Sequence, residues 1–514
     1  MSRVDNVAKN MKFAVFCQVA TGVVNFAVRR VFAMMLEQDY LGINGLFADI
    51  LSMLSLAELG FGTSILFSLY KPVAEGDTEK IKSLMALYRT AYRIIGLVVL
   101  GTGLALTPFL EWFVKEMPEG IPHIHWIYVL HVVNSALSYF FIYKATLLFA
   151  CQQKYVEILV TTVVKTAAGL LQIGALLLTG NYFLYLAVML CATLVQNAAI
   201  SLETDRRYPY LRERNVSPLA RADKQVIFRN VAAMMFHKFG DVAVFSTDSI
   251  LMAKFVSVAA VGLYSNYMLI RKTLVMVIDM LFSAITASMG NLNASEAVER
   301  KRTAFQHVNF LAAWLFGWMS ICLLWLYNPF IELWLGADYL FPMEIVALIV
   351  VNFYLYCMRI PVGSTKNAMG LFWNDRYKPI AEVAVNLVAS VLLAGRMGIA
   401  GVLLGTTLST VLVPFWIEPL VLFHRGLEQG AGGYFLHYLL YLAVTVAAGA
   451  LTGVLCALAP DGMGGFAAKM LACATVPHLV YLTAYWRTEN FRYLRGVALR
   501  LAGRALRRGG RGNG

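Results

Sequence analysis

Two arginines stand side by side, Arg29 and Arg30, inside a run that is otherwise apolar from about residue 11 to 36. The next run carries Asp49 and Glu58, later ones carry Lys144 and Lys165, and two more carry His237, Asp241 and Asp248, then Arg271 and Asp279. A charge near the centre of a membrane helix costs about 2.5–3.5 kcal/mol on insertion scales, so such residues face a bundle interior or a watery cavity. Spacings of four and seven place His237, Asp241 and Asp248 on one helical face, and a spacing of eight does the same for Arg271 and Asp279. Guanidinium groups bind phosphate with paired donors, and ammonium groups bind it as point charges. Arg29, Arg30, Lys144, Lys165 and Arg271 are therefore candidates to line a cavity that accepts a phosphate-bearing molecule. Asp49, Glu58, His237, Asp241, Asp248 and Asp279 could couple to H⁺ or Na⁺, gate the cavity, or balance the cations. Two plainer readings stand beside these. Arg29 and Arg30 lie near a helix end and could snorkel to the surface, and Glu58 could be hydrogen-bonded to a neighbouring helix.

The elements that must hold these residues follow from composition. The 514 residues are 59% hydrophobic and 14% charged, against roughly 25% charged in soluble domains. Fourteen apolar runs are legible, at about 11–36, 42–69, 84–110, 122–149, 156–179, 181–203, 226–254, 260–289, 304–327, 341–362, 379–395, 399–423, 434–458 and 466–486. The expectation is an all-α integral membrane protein of about 14 transmembrane helices. With both termini cytoplasmic, nearly every loop lysine and arginine falls inside, and the outer loops keep little beyond Lys115 and Arg396. The first run has no small-residue cleavage site after a short core and reads as a retained helix. The net charge of +13 sits in loops between apolar runs, which points to membrane lipid as partner and not to nucleic acid. The arginine-rich tail, 487–514, is either an interfacial helix on anionic lipid or a fraying positive-inside end. The seven cysteines lie in or beside apolar runs without metal-type spacing, so no metal is expected.

The chain also repeats itself. A shift of 220 residues lays Asn10 on Asn230, Gly42 on Gly262, Ala74 on Ala294 and Glu79 on Glu299. These positions mark the inner start of a helix, an outer turn and an inner loop in both halves. The expected organisation is an N-lobe at 1–203, a cytoplasmic linker at 204–225, a C-lobe at 226–424, two added helices at 425–486 and the basic tail. By the same shift, Asp248 takes the depth of Arg29 and Arg30 in the facing half, and one of those arginines is expected to pair with it when the outer mouth is closed. In the run 42–69, the glycines and Ser52, Ser55, Thr63 and Ser64 allow close helix approach and bending.

The stretches "YLGINGLFADILSMLSLAELGFGTSILFSLYKPVAEGDTEKIKSLM" and "STDSILMAKFVSVAAVGLYSNYMLI", in a 14-run layout, resemble bacterial polysaccharide-biosynthesis (O-antigen-type) flippases. These belong to the multidrug/oligosaccharidyl-lipid/polysaccharide exporter superfamily. The resemblance implies two six-helix, MATE-like lobes around a central cationic cavity in the bacterial cytoplasmic membrane. It implies a lipid-linked oligosaccharide, carried on a polyprenyl diphosphate, as the passenger, and other polysaccharide-assembly proteins as partners. In the related lipid II flippases first-helix arginines serve the diphosphate, a role that Arg29 and Arg30 match by position. The competing readings are a MATE-type drug or organic-cation antiporter, whose site should be rich in carboxylates and aromatics, and a glycan-transferring membrane enzyme, which would need a sizeable outer loop with catalytic groups. The outer loops here are short, so no enzyme and no cofactor are expected.

Overall fold

In lipid, every backbone N–H and C=O must be satisfied within the segment, and each of the fourteen apolar runs folds as helix. The structure, a computed structural model, describes residues 3–509 apart from 59–60, 119, 214–215, 372–373 and 461; it leaves out the side chains of 3–16, 232–245, 501–509 and some scattered helical positions. Among the described residues there is no strand. The chain forms two compact units, residues 1–265 and 266–514.

The first unit begins with α1 (Arg3–Met35) and α2 (Gln38–Leu54), followed by α3 (Phe61–Glu75). The second apolar run is thus not one helix: it breaks after Leu54, through a 3₁₀ turn at Ser55–Glu58. Next come α4 (Thr78–Leu106), a single turn α5 (Leu110–Phe113), α6 (Ile124–Ala150), α7 (Lys154–Thr179), α8 (Tyr182–Arg207) and α9 (Arg221–Phe255). The first turns of α10 (Val258–Ser295) complete the unit. α1 packs on α7, α4 on α6, and both α6 and α7 on α8, while α9 lies along α2 and α3. Ile65, Leu69, Leu84, Tyr88, Tyr92 and Val99 form one buried core, which also takes Ile227 of α9. This packing explains why α9 groups with the helices before it. The six-helix lobes at 1–203 and 226–424 are a reading of the repeat, distinct from this grouping by contact.

The second unit holds the rest of α10, then α11 (Val298–Leu335), α12 (Met343–Ala368), α13 (Lys378–Met397) and α14 (Ile399–Leu412). α15 (Pro414–Val421), α16 (Gly432–Ala457), α17 (Gly462–Tyr485) and α18 (Glu489–Gly509) follow. Pro414 breaks the twelfth run: it lacks an N–H, so it starts α15 at a position where that donor is not needed. α13 and α14 form a close hairpin against α12, and α11 packs on α12, α16 and α17. At 38 residues and 1.5 Å per residue, α11 is about 57 Å long, well beyond a hydrocarbon core of about 30 Å. Its surplus carries Arg300, Lys301 and Arg302 at one end. Within the tail, Glu489–Gly509 is helical, as α18. α18 is held to α11 by His307 stacked on Tyr493 at 3.8 Å and Trp314 stacked on Phe491 at 5.9 Å.

Among the described residues, nine helices are long and apolar enough to cross a bilayer, ten if the bent pair within α6 is one span. α1, α2–α3, α9 and α10 are not among those nine or ten. α1, α2, the turn at Ser55–Glu58, α9 and α10 carry Arg29, Arg30, Asp49, Glu58, His237, Asp241, Asp248, Arg271 and Asp279.

Candidate functional site

Arg29 and Arg30 are adjacent on α1, and one residue of α-helix turns a side chain by about 100°. They cannot share an environment, and they do not: Arg29 is half-buried and Arg30 exposed. Arg29 Nη2 donates to Ser265 Oγ of α10, and that hydroxyl donates to the Gly262 carbonyl at 2.7 Å. Tyr182 and Tyr185 of α8 lie within electrostatic reach of the Arg29 guanidinium. Their rings stack at 5.8 Å, and Phe32 meets them edge-on at 5.6 and 5.2 Å. His131 Nε2 lies 3.4 Å from the Tyr182 hydroxyl, fully inside this wall. The Arg29 guanidinium on α1 is thus held by the Ser265 hydroxyl, near the tyrosines of α8, with part of its surface still accessible.

Just beyond Arg29, α2 and α10 meet at glycines. A Cβ on Gly42 would overlap the backbone carbonyl of Val258. A Cβ on Gly262 would lie 2.7 Å from the Gln38 carbonyl oxygen and 2.9 Å from Gly42 N. Only glycine permits this backbone-to-backbone approach. Gly42 and Gly262 are the pair that the 220-residue shift equates. Gly45, one turn on, meets Val261 and Ser265 side chains at an ordinary 3.5 Å.

The carboxylates divide by surroundings. Glu58 ends the 3₁₀ turn and accepts from the Tyr92 hydroxyl of α4. Tyr88 crosses Tyr92 at 4.4 Å and meets Thr146 Oγ1 at 3.1 Å. The neighbouring-helix hydrogen bond considered for Glu58 is therefore present. Asp49 is half-buried on α2. Asp248 is 2% exposed, in a buried polar stretch with Ser246, Thr247 and Ser249. His237 and Asp241 are on α9, and their side chains lie outside those described. Lys144 of α6 is ion-paired with Asp205 of α8 at 2.7 Å and also donates to Ser201 at 2.7 Å. Lys165 is exposed on α7.

In the second unit, Arg271 lies over the Tyr356 ring at 5.1 Å, and Asp279 is exposed. A larger network sits further along the chain. Arg359 of α12 reaches Glu382 of α13 at 3.0 Å and clasps both oxygens of Glu418 of α15 at 3.0 and 3.2 Å. Lys378 also donates to Glu418, and Lys366 pairs with Asp375. In the sequence, Lys366 and Lys378 read as loop charges and Arg359 and Glu382 as helix-end residues. Glu418 was the signal to weigh, an isolated carboxylate in an apolar run. The structure brings together Arg29, its aromatic wall and the glycine contact; it places Lys144, Lys165 and Arg271 each in a setting of its own.

A bundle of long helices with charge held inside its spans defines a polytopic membrane protein. Comparison with known proteins narrows the fold. No family model matches the chain, and no curated protein matches it. Among solved structures it is similar to a multidrug resistance MATE family transporter of the MOP superfamily in an inward-facing conformation, with TM-score 0.61 and 14% identity over 78% of this chain and 94% of that one. It is also similar to the lipid II flippase MurJ in an inward closed conformation, with TM-score 0.63 and 13% identity over 92% of this chain and 99% of that one. The Vibrio cholerae MATE transporter VcmN matches with TM-score 0.56 and 12% identity over 82% and 98%. The chain therefore has the multi-helix membrane fold shared by MATE transporters and MurJ.

Proposed function

We propose that the protein is a flippase that moves a polyprenyl-diphosphate-linked oligosaccharide across the bacterial cytoplasmic membrane for surface polysaccharide biosynthesis. It works by alternating access around a cationic cavity, with both termini in the cytoplasm and other polysaccharide-assembly proteins as partners. The observation that carries this reading is Arg29, a half-buried guanidinium on α1 that donates to Ser265, with Tyr182 and Tyr185 of α8 within electrostatic reach. A diphosphate that leaves water loses hydration and needs fixed donors, which a guanidinium offers in pairs. Arg30 and Lys165, exposed on α1 and α7, and Arg271 in the second unit are the further cationic candidates, each tested by its own substitution. Lys144, already matched by Asp205, serves to hold α6 to α8. The glycine contact between α2 and α10 acts as the outer closure, and Asp248 is the partner of Arg29 or Arg30 when it is shut. Asp49, Glu58, His237, Asp241 and Asp279 balance this charge or couple transport to H⁺ or Na⁺.

A second reading, a MATE-type drug or organic-cation antiporter, is favoured by Glu58, a carboxylate set under tyrosine hydroxyls. One assay separates the two. Purified protein in vesicles is offered a diphosphate-linked glycolipid or a cationic dye, with and without H⁺ and Na⁺ gradients. The flippase reading expects the glycolipid to change leaflets and the dye to stay. Dye movement without glycolipid movement reverses the assignment.

A further inference from the structure

A second concavity shares no residue with the charges above. It lies in the unit 266–514, where α11, α16, the end of α17 and the start of α18 converge. Its volume is about 440 Å³, inside the roughly 300–1,000 Å³ range of small-molecule sites. Its walls are aromatic: Phe305 and Phe310 from α11, Tyr434 and Tyr441 from α16, and Tyr485 from α17. Phe310 and Tyr441 each meet Tyr485 edge-on, at 5.2 and 5.8 Å, so these faces are fixed. The start of α18 is fixed too, because Asn490 Oδ1 lies 2.8 Å from His307 Nδ1.

Between the rings stand four carboxamides, Gln306, Asn309, Gln429 and Asn490, together with His437 and Thr488. Among the described lining residues, Glu489 alone is acidic and none is lysine or arginine. Asn309 points to a ligand. Its side chain is 4% exposed, it lines the cavity, and its Oδ1 has no hydrogen-bond partner. A buried acceptor left unsatisfied costs about 1–3 kcal/mol; a ligand hydroxyl removes that cost once the Asn309 carboxamide, closed to the cavity as it stands, turns toward it.

The lining sets the chemistry. Without cations it does not suit a phosphate. Each carboxamide offers a donor and an acceptor, as each alcohol does, and aromatic faces take the apolar C–H face of a ring. We propose that this cavity binds a neutral pyranose sugar. It lies at the end of α11 that carries Arg300, Lys301 and Arg302, which the positive-inside bias assigns to the cytoplasm. Its role, engagement of a sugar of the lipid-linked glycan on the loading side, rests on the flippase reading; the binding itself does not.

The test uses the full chain in nanodiscs of phosphatidylethanolamine and phosphatidylglycerol. Methyl pyranosides of glucose, galactose, mannose, rhamnose and N-acetylglucosamine are screened by saturation-transfer NMR, with tetramethylammonium in parallel. At least one pyranoside is expected to bind, at least tenfold more weakly to Gln306→Ala and Asn309→Leu. Gln306 is exposed, so its variant keeps the fold, and thermal unfolding checks this. No pyranoside binding, or equal binding by Gln306→Ala, overturns the proposal. So does tetramethylammonium bound in place of the sugars, which would mark a cation cage around Glu489. A chain that binds a pyranoside but moves no diphosphate glycolipid in the vesicle assay keeps this site and loses the flippase reading.

Discussion

At the scale of single residues, the question is which membrane charges are spoken for. Lys144 and Asp205 have side chains 12% and 17% exposed and lie 2.7 Å apart. Removal of one partner from a buried pair costs about 3–5 kcal/mol, whereas removal of both costs far less. Lys144→Met is therefore expected to lower thermal stability strongly, and Lys144→Met with Asp205→Leu to recover most of it. If the double variant is stable yet transport remains lost, Lys144 belongs to the cavity after all. Arg29 predicts the opposite pattern. Its variant Arg29→Ala should stay folded and lose at least tenfold in glycolipid movement, with Arg29→Lys intermediate because an ammonium lacks the paired donors. For the proposed closure, Asp248→Arg should block transport, and addition of Arg30→Asp, which leaves the Arg29 guanidinium in place, should restore part of it. No recovery removes the pairing of Asp248 with Arg30.

At the scale of elements, the glycines make a graded prediction. Gly42→Ala forces a methyl into the Val258 carbonyl, whereas Gly45→Ala meets neighbours at 3.5 Å. Overpacking against backbone costs about 1–3 kcal/mol. Gly42→Ala should therefore weaken the α2–α10 contact and cut transport, while Gly45→Ala behaves as wild type; equal effects would show that the approach is not what matters. The same element shows what the sequence could tell. Its glycines and hydroxyl residues announced close approach and bending, and the helix does break at Ser55–Glu58. The fourteen runs were legible because lipid leaves the backbone one local solution, and local patterns are what a sequence displays. The α12–α13–α15 network was not legible, because its partners lie 23 to 59 residues apart. Only packing shows that Glu418 holds Arg359 and Lys378 together. Glu418→Gln should cost about 3–5 kcal/mol as two cations lose their shared carboxylate, read as a lower midpoint in thermal unfolding.

At the scale of the whole molecule, the reading depends on sidedness, and sidedness comes from charge in loops, not from any contact. Single cysteines placed in the background without the seven native ones report it directly. Glu116 and Ala337 are exposed in segments that the bias assigns outside, and Glu75 and Ala297 are exposed in segments assigned inside. In intact cells an impermeant maleimide should label Glu116→Cys and Ala337→Cys at once, and Glu75→Cys and Ala297→Cys only after the membrane is opened. Glu75 and Glu116 flank the third run and Ala297 and Ala337 flank the ninth, so the pattern checks one crossing in each half, and an odd number of crossings between Glu116 and Ala297, as well as the orientation. The reverse pattern would put the α2–α10 glycine contact at the cytoplasmic face. The closure would then shut out the leaflet where a lipid-linked glycan is assembled, and a molecule loaded from the opposite side would be the better candidate for Arg29.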